Sequence, residues 1–242
     1  MQLLDSRRLT GPNLIWDHPG AILDVAVPPG MDAATVDTAI SRWESSARQL
    51  LDAVGWNAER TAVRRVNGGF SLALTAPIDA LYSAVELAEQ AWHRLADGLP
   101  EPEAAVVAHL RARIAAEANP ALLALKAAAN ARGVSLRSDG DLVTVGMGVG
   151  SRSWPQQALP SVDAVDWSVL HDIPVALITG TNGKSTTVRL VAAMAEAAGK
   201  VVGLTTTESV MAAGAVLDRG DWSGPGGARM ALADPRPTMA VL

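Results

Sequence analysis

Hydrophobic and polar positions follow two periods along the first 150 residues. Strand spacing occurs over 21–27, 61–66 and 70–75. Helical spacing occurs from the capping Asp32 to Gly55, from about 78 to 96, and from 101 to 132. The later two strands flank Asn67-Gly68-Gly69, which is typical of a β-hairpin. The order strand, helix, hairpin, helix predicts a small α+β domain over residues 1–150, with a helical extension.

The pattern changes after residue 150. Residues 151–172 mix prolines with polar and apolar positions, which favours a linker. The apolar run Ile173 to Ile178 predicts a buried strand, and the helical spacing of 185–198 predicts a helix. Val188, Val191 and Met194 are expected on its inner face.

Three further strand signals follow that helix. The run 201–204 predicts a second parallel strand, 210–216 a hairpin about Gly214, and 238–242 a buried strand. Residues 173–242 therefore predict the start of a parallel-sheet domain, and the chain as a whole is assigned to the α/β class.

The segment between the first two of these parallel strands carries the chemistry. Gly180 and Gly183 allow the backbone to approach an anion closely, and the N–H groups of the following helix point at it. Lys184 adds a positive charge near the outer phosphates, and Ser185 is placed to bind Mg²⁺. The predicted ligands of ATP and Mg²⁺ are Thr179, Gly180, Thr181, Asn182, Gly183, Lys184, Ser185 and Thr186. Lys184 is also the predicted catalytic residue.

The loop departs from the usual phosphate-binding pattern, which requires glycine where this chain has Ile178. Thr-Gly-Thr-Asn-Gly-Lys-Ser-Thr-Thr instead resembles the loop of the Mur ligase family. A glycine-rich turn with an exposed lysine is the plain alternative. A general P-loop kinase or ATPase is less favoured because of the spacing. Lysine occurs only at Lys126, Lys184 and Lys200, so a lysine in this loop is not background.

Two other segments resemble the cyanophycin synthetase family. Arg8-Leu9-Thr10-Gly11-Pro12-Asn13, followed by Trp16, is similar to its opening. Asp-Leu-Val-Thr-Val-Gly-Met-Gly at 141–148 is similar to the start of its ATP-grasp domain, but only a short segment separates it from the phosphate loop here. The resemblance therefore implies an N-terminal domain over 1–150, a linker over 151–172 and an incomplete Mur-type domain over 173–242.

The family resemblance implies a reaction and further site residues. Mur-type ligases use ATP to convert a carboxylate into an acyl phosphate, which an amine then displaces. A hydroxyl at the end of the second strand helps to hold magnesium or substrate there, and Thr206 is the choice in Thr205-Thr206-Thr207. Gly220-Asp221-Trp222-Ser223-Gly224-Pro225, the Gly-Asp loop, resembles the Gly-Asp-x-x-Gly-Pro segment of the family, which implies contacts with an amino-acid or peptide-like substrate. Its predicted residues are Asp221, Ser223, Gly224 and Pro225. A surface loop without a ligand is the alternative.

Composition argues against several kinds of partner and metal site. The formal net charge of −5 argues against nucleic acid and acidic membranes as partners. The chain has no cysteine, and its four histidines stand far apart, which argues against a transition-metal site. Its early charges and the lack of a long apolar run predict a cytoplasmic protein. A homo-oligomer is left open.

The resemblance implies catalytic groups that the 242 residues do not contain. Relatives carry a magnesium-binding glutamate, a histidine, a modified lysine and a closing domain after the strand that corresponds to 238–242. The chain is accordingly expected to be a fragment of a longer ligase, to need a partner, or to be a degenerate relative. The main alternative to a ligase is a non-catalytic nucleotide-binding or scaffold protein.

Overall fold

The computed structural model describes residues 1–95 and 102–242, which form a mixed α/β fold. The described residues contain six α-helices and three β-sheets. The chain divides into two compact units, Met1–Leu123 and Ala124–Leu242. Each unit contains its own β-structure, and each is described separately below.

The first unit is built on a four-stranded antiparallel sheet. Its strands are β1 (Gln2–Leu9), β2 (Gly20–Ala26), β3 (Thr61–Val66) and β4 (Gly69–Thr75), in the order β1-β2-β4-β3. The hairpin predicted at Asn67-Gly68 is confirmed, since Val66 pairs with Gly69. Gly68 has a φ of 79°, a backbone conformation that favours glycine. Strand β1 was not predicted from the sequence.

Two helices cover this sheet, α1 (Ala33–Val54) and α2 (Leu81–His93), and α3 (Ala104–Glu117) packs against these helices. Helix α4 (Pro120–Ala131) contains the point of division between the two units. Helix α1 begins as predicted, because Asp32 accepts a hydrogen bond from the Thr35 N–H at 2.8 Å. It ends as predicted at Gly55, whose φ is 90°. Two predicted helix boundaries, the end of the second helix at Ala96 and the start of the third at Glu101, lie outside the described residues.

The segment Arg8 to Asn13 begins at the end of β1 and leads into a compact turn. The Asn13 carboxamide accepts hydrogen bonds from the N–H groups of Ile15 (2.9 Å) and Trp16 (3.2 Å), and donates to the Gly11 carbonyl (3.0 Å). These contacts give this part of the segment a structural role, because they satisfy backbone groups where the chain leaves the sheet.

The second unit begins with a small antiparallel sheet in the order β5-β6-β7. Its strands are β5 (Leu136–Asp139), β6 (Leu142–Val145) and β7 (Arg152–Pro155). The glycine-rich segment 146–150 forms a packed turn. A Cβ at Gly146 would lie 2.0 Å from the Gly150 carbonyl oxygen, so this close backbone packing requires glycine.

The larger sheet of this unit is mixed. Its strands are β8 (Val175–Ala176), β9 (Val202–Thr205), β10 (Ser209–Ala212), β11 (Ala215–Arg219) and β12 (Met239–Val241). Their order is β11-β10-β9-β12-β8, and β12 is parallel to both β8 and β9. The pairing of β10 with β11 confirms the predicted hairpin about Gly214, and β12 confirms the predicted buried strand at 238–242. Strand β10 also pairs antiparallel with β9. The parallel part is therefore limited to three strands.

Two helices accompany this sheet, α5 (Lys184–Ala197) and α6 (Pro225–Ala233). Helix α5 buries Val188, Ala192 and Ala195 against strands β9 and β12. The prediction that Met194 faces inward is wrong, since it is 71% exposed. The strand predicted over Ile173–Ile178 is also shorter than expected, and Leu177 is 79% exposed.

The compact units divide at a different place from the predicted linker. Residues 151–172 lie inside the second unit rather than between the two. They are held there by local contacts: the Asp172 carboxylate accepts from the Ser135 hydroxyl at 2.6 Å, and the Met147 N–H donates to the His171 carbonyl at 3.0 Å. The segment has mixed polarity because it consists of the short strand β7 and several short turns, which pack on the second unit with one side and face solvent with the other.

Candidate functional site

The loop between β8 and α5 contains two glycines with positive φ. Gly180 has a φ of 155° and Gly183 a φ of 78°, and Gly183 is the N-cap of α5. A Cβ at Gly183 would have no atom within 4 Å, so the residue is needed for its conformation rather than for space. Thr179, Thr181 and Asn182 are exposed around it.

Helix α5 starts without a side-chain cap, because Gly183 has none to offer. The Thr187 N–H donates to the Gly183 carbonyl at 2.9 Å and closes the first turn. The N–H groups of Lys184, Ser185 and Thr186 precede that bond and have no carbonyl four residues back within the helix. They lie at the positive end of the helix dipole, which favours an anion there.

Lys184 folds across the same loop. Its Nζ donates to the Gly180 carbonyl at 2.7 Å, so the ammonium group lies over the turn and close to the start of α5. The side chain is only half-buried. An anion in the loop would therefore meet a full positive charge as well as the helix terminus.

The hydroxyl of Ser185 points to the end of strand β9. It lies 3.2 Å from the Thr207 hydroxyl, and both groups are accessible. The structure thus brings Thr207, and not the predicted Thr206, to Ser185. Two hydroxyl oxygens this close can share a small hard cation such as Mg²⁺.

The Thr206 hydroxyl forms hydrogen bonds within the turn that follows β9. It accepts from the N–H groups of Glu208 (3.1 Å) and Ser209 (3.2 Å) and donates to the Ser209 carbonyl (3.3 Å). The residue is only 3% exposed. The sequence missed Thr207, because three adjacent threonines give no signal of which one faces the loop.

The Gly-Asp loop lies at the same edge. Asp221 accepts hydrogen bonds from the Ser223 hydroxyl at 2.7 Å and from the Ser223 N–H at 3.2 Å, and these contacts lower the pKa of the Asp221 carboxyl. The positive charge of Lys184 lowers that pKa further. The Trp222 N–H donates to the Thr206 carbonyl at 3.0 Å and fixes the loop to the end of β9.

The other two predicted substrate residues begin helix α6. Gly224 is its N-cap and Pro225 stands at the first helical turn, a position that suits proline because its missing N–H would have had no partner. Both are exposed. The structure therefore brings the predicted nucleotide loop and the predicted substrate loop to one edge, and their roles stay predictions.

The part of the chain that the structure describes shows neither a metal-binding cluster nor a membrane-spanning helix. Residues 1–95 and 102–242 contain no group of three or more histidine, cysteine or acidic side chains that could hold a metal ion. Within the same ranges, none of the helices combines the length and apolar character needed to cross a bilayer.

Comparison with known proteins relates part of the chain to named enzymes. No protein-family model matches it. The chain is 47% identical over 70 residues to the cyanophycin synthetase of Crocosphaera subtropica, which is 29% of this chain and 8% of that protein. It is 37% identical over 113 residues to that of Geminocystis herdmanii, which is 43% of this chain and 13% of the relative. The cyanophycin synthetase of Trichormus variabilis is 46% identical over 70 residues, 29% of this chain and 8% of the relative.

The matched stretch is thus a small share of each curated relative, between 8% and 13% of its length. Identities of this size over 70 residues or more nevertheless establish a relationship in sequence. Over part of its length, the chain is related to cyanophycin synthetases.

Proposed function

We propose that the second unit contains the nucleotide-binding part of an ATP-dependent carboxylate–amine ligase of the Mur type. The observation that carries the proposal is the Lys184 ammonium group, 2.7 Å from the Gly180 carbonyl at an uncapped helix start. The relatives are named as synthetases, which supports a bond-forming enzyme rather than a simple ATPase. The proposal extends their activity to this chain.

The residues at the sheet edge fit ATP and Mg²⁺. The N–H groups at the start of α5 and the Lys184 ammonium suit phosphate oxygens, while the hydroxyls of Ser185 and Thr207 suit a magnesium ion. When bound, the magnesium nucleotide supplies the phosphoryl group that activates a carboxylate. Thr206 supports this arrangement by holding the turn that carries Thr207.

Each group has a role that follows from its position. Lys184 exchanges the Gly180 carbonyl for a phosphate oxygen and opposes the charge that builds up during transfer. Asp221 accepts from Ser223 and keeps the Gly-Asp loop folded beside the transferred group. The acceptor carboxylate displaces ADP from the γ-phosphorus, and the amine then displaces phosphate from the acyl phosphate.

The remaining predictions belong to the same proposal. The substrate is an amino acid or a peptide-like chain held near Asp221, Ser223, Gly224 and Pro225. In sequence, residues 1–150 correspond to the N-terminal domain of the cyanophycin synthetase family and residues 173–242 to part of a Mur-type domain. Residues 151–172 link these two sequence regions, although they fold within the second compact unit. The protein acts in the cytoplasm without nucleic acid or membrane partners.

Nucleotide binding tests the first step. Lys184→Ala should weaken the binding of Mg·ATP about tenfold or more, because a hydrogen-bonded charge on the phosphates is lost. Isothermal titration calorimetry measures the dissociation constant. Lys200→Ala is the matched control, since Lys200 is an exposed lysine outside the loop and should leave binding unchanged. Equal affinity of the wild type and Lys184→Ala would refute the nucleotide site.

Trapping of the intermediate tests the reaction class. The chain is incubated with Mg·ATP, hydroxylamine and each candidate amino acid in turn, and acyl hydroxamate is detected by mass spectrometry. A hydroxamate that requires Lys184 supports the ligase. Mg·ATP binding without any hydroxamate supports the non-catalytic nucleotide-binding alternative if the full-length gene product also gives none, and phosphate release without an acceptor supports an ATPase.

A further inference from the structure

A salt bridge joins helix α5 to the turn that follows strand β9. Nη2 of Arg189 donates to Oε2 of Glu208 at 2.5 Å. Both side chains are more than half exposed, and exposed ion pairs contribute little to the free energy of unfolding. No role was predicted for either residue from the sequence. The salt bridge lies, however, beside the groups that suit magnesium.

The salt bridge runs alongside the contact between the Ser185 and Thr207 hydroxyls. On α5, Arg189 follows Ser185 by four residues, so these two side chains lie on the same face of the helix. In the turn, Glu208 directly follows Thr207. The hydroxyl contact, at 3.2 Å, and the salt bridge, at 2.5 Å, therefore join one face of the helix to one turn.

Other hydrogen bonds fix this turn without involving α5. The Thr206 hydroxyl accepts from the Glu208 N–H at 3.1 Å within the turn. The Gly-Asp loop donates to the turn twice, from the Gly220 N–H to the Glu208 carbonyl at 2.9 Å and from the Trp222 N–H to the Thr206 carbonyl at 3.0 Å. Among the residues that the structure describes, the hydrogen bonds and ion pairs between the turn and α5 are the hydroxyl contact and the salt bridge.

The distance between the two hydroxyls matters for magnesium. Oxygen ligands lie about 2.1 Å from Mg²⁺, so ligands at neighbouring octahedral positions lie about 3 Å apart. The 3.2 Å between the Ser185 and Thr207 oxygens is close to that separation. Because Mg²⁺ tolerates little departure from octahedral geometry, a turn that moved away from α5 would weaken its binding. The groups that face the phosphates, Lys184 and the start of α5, would stay in place.

We propose that Arg189 and Glu208 are positioning residues for the proposed magnesium site. Their salt bridge holds the turn on α5 and keeps the Thr207 hydroxyl beside that of Ser185. The pair acts through Thr207 and does not itself bind the nucleotide or the ion. This inference rests on the nucleotide site proposed above, and it adds that magnesium-dependent affinity depends on an ion pair outside the phosphate loop.

The first test separates magnesium-dependent binding from the binding of the phosphates. Isothermal titration calorimetry gives the dissociation constant of ATP with Mg²⁺ and with EDTA in its place. Arg189→Gln should weaken Mg·ATP binding about two- to fivefold, the change that corresponds to an exposed ion pair, and should weaken magnesium-free ATP less. If Arg189 instead bound the phosphates, magnesium-free ATP would lose at least as much, because it carries more negative charge; that result would overturn the proposal.

A matched control uses another charge of the same helix. Glu196 is exposed near the far end of α5, and Glu196→Gln should leave both dissociation constants unchanged. Circular dichroism checks that each variant is folded. Because Arg189 and Glu208 are exposed, we expect their variants to fold as the wild type does.

Reversal of the two charges tests the pair itself. Arg189→Glu should weaken Mg·ATP binding at least as much as Arg189→Gln, because it places two carboxylates side by side. Adding Glu208→Arg to that variant should restore most of the affinity, since a salt bridge of reversed polarity then joins the helix to the turn. If Glu208 bound the ion directly, the double variant would be no better than Arg189→Glu alone, and the positioning role would be refuted.

Failure of this inference differs from failure of the nucleotide site. If the wild type and the salt-bridge variants bind Mg·ATP equally while Lys184→Ala binds weakly, the salt bridge has no positioning role and the nucleotide site stands. If the wild type does not bind Mg·ATP, both proposals are refuted.

Discussion

The two units bury their side chains in different ways. The first unit packs large residues between its sheet and helices; its fully buried side chains include Trp43, Phe70, Leu23, Leu50, Leu72, Leu74 and Leu87. Helix α5 of the second unit packs on its sheet through small residues. They are Val188, Ala192 and Ala195 of the helix and Val202 and Val241 of the strands. The residues of the candidate site lie at the exposed N-terminal end of this helix.

This difference separates stability from chemistry. Large buried side chains contribute most to the free energy of unfolding, because each removes more apolar area from water. The residues at the loop are instead exposed or half-buried, so changing them should alter ligand binding more than folding. The following predictions test that separation, from the largest expected effect to the smallest.

Trp43→Ala should lower the free energy of unfolding by about 3–5 kcal/mol, because it leaves a large cavity in the first unit. Trp43 is fully buried, and its indole N–H donates to the Ala88 carbonyl at 3.2 Å. Urea denaturation followed by circular dichroism measures the loss. The control is Tyr82→Ala, which removes a 58% exposed aromatic residue of the same unit and should cost about 1 kcal/mol or less. Similar losses in both variants would contradict the account of this core.

Val188→Ala should lower the free energy of unfolding by about 2 kcal/mol, since two buried methyl groups are lost from the second unit. Val188 is 3% exposed on the inner face of α5. On the outer face of the same helix, Leu190 is 60% exposed, and Leu190→Ala should change little. The same denaturation assay applies, and a larger loss from Leu190→Ala would show that the helix faces are wrongly assigned.

Thr206→Val and Thr207→Val should have opposite profiles. Thr206→Val leaves the N–H groups of Glu208 and Ser209 without their acceptor and should cost about 1–2 kcal/mol of stability. Thr207→Val should change stability by about 0.5 kcal/mol or less and yet weaken Mg·ATP binding, because it removes the hydroxyl beside Ser185. Denaturation and calorimetry on both variants give the comparison. Unchanged Mg·ATP affinity in Thr207→Val would remove this hydroxyl from the proposed site.

Asp24 should give the first unit a small dependence on pH. Burial raises the pKa of this carboxyl, but hydrogen bonds from Ser71 and Arg7 and the Arg7 charge together hold it below its ordinary value. A lowered folded-state pKa stabilises the fold above the ordinary carboxyl pKa of about 4, and that stability is lost as the pH falls through the folded-state value. Asp24→Asn should therefore flatten the acid side of the stability profile, measured by denaturation at pH 2–7. The exposed Asp17→Asn should leave that profile unchanged.

Sequence predicts those parts of the fold that local signals determine. Asp32, Gly55 and Asn67-Gly68 fixed the ends of α1 and the β3–β4 turn, because each acts on its own neighbours in the chain. Strand β1 escaped prediction because it is an edge strand with charged residues, and its pairing with β2 defines it. Strand β7 contains few apolar residues and ends at Pro155, so it too depends on a partner strand.

The candidate site shows the same limit. Its glycines and lysine are contiguous, and the strand–loop–helix order could be predicted from them. The choice between Thr206 and Thr207 could not be predicted, because it depends on which of the two hydroxyls forms hydrogen bonds within the turn after β9. A cavity lined in part by Arg137 and Trp222 could not be predicted either, because it forms only where separate elements of the second unit meet.

The position of β12 has a consequence for the order in which the protein folds during synthesis. Strand β8 pairs with β12, which the ribosome makes only after two helices and three other strands have followed. Strand β12 also fills the place between β8 and β9. Because non-local strand pairs form late, we expect the nascent phosphate loop to lack its support while the first unit is already folding. The nascent chain should therefore fold its first unit well before the proposed nucleotide site can form.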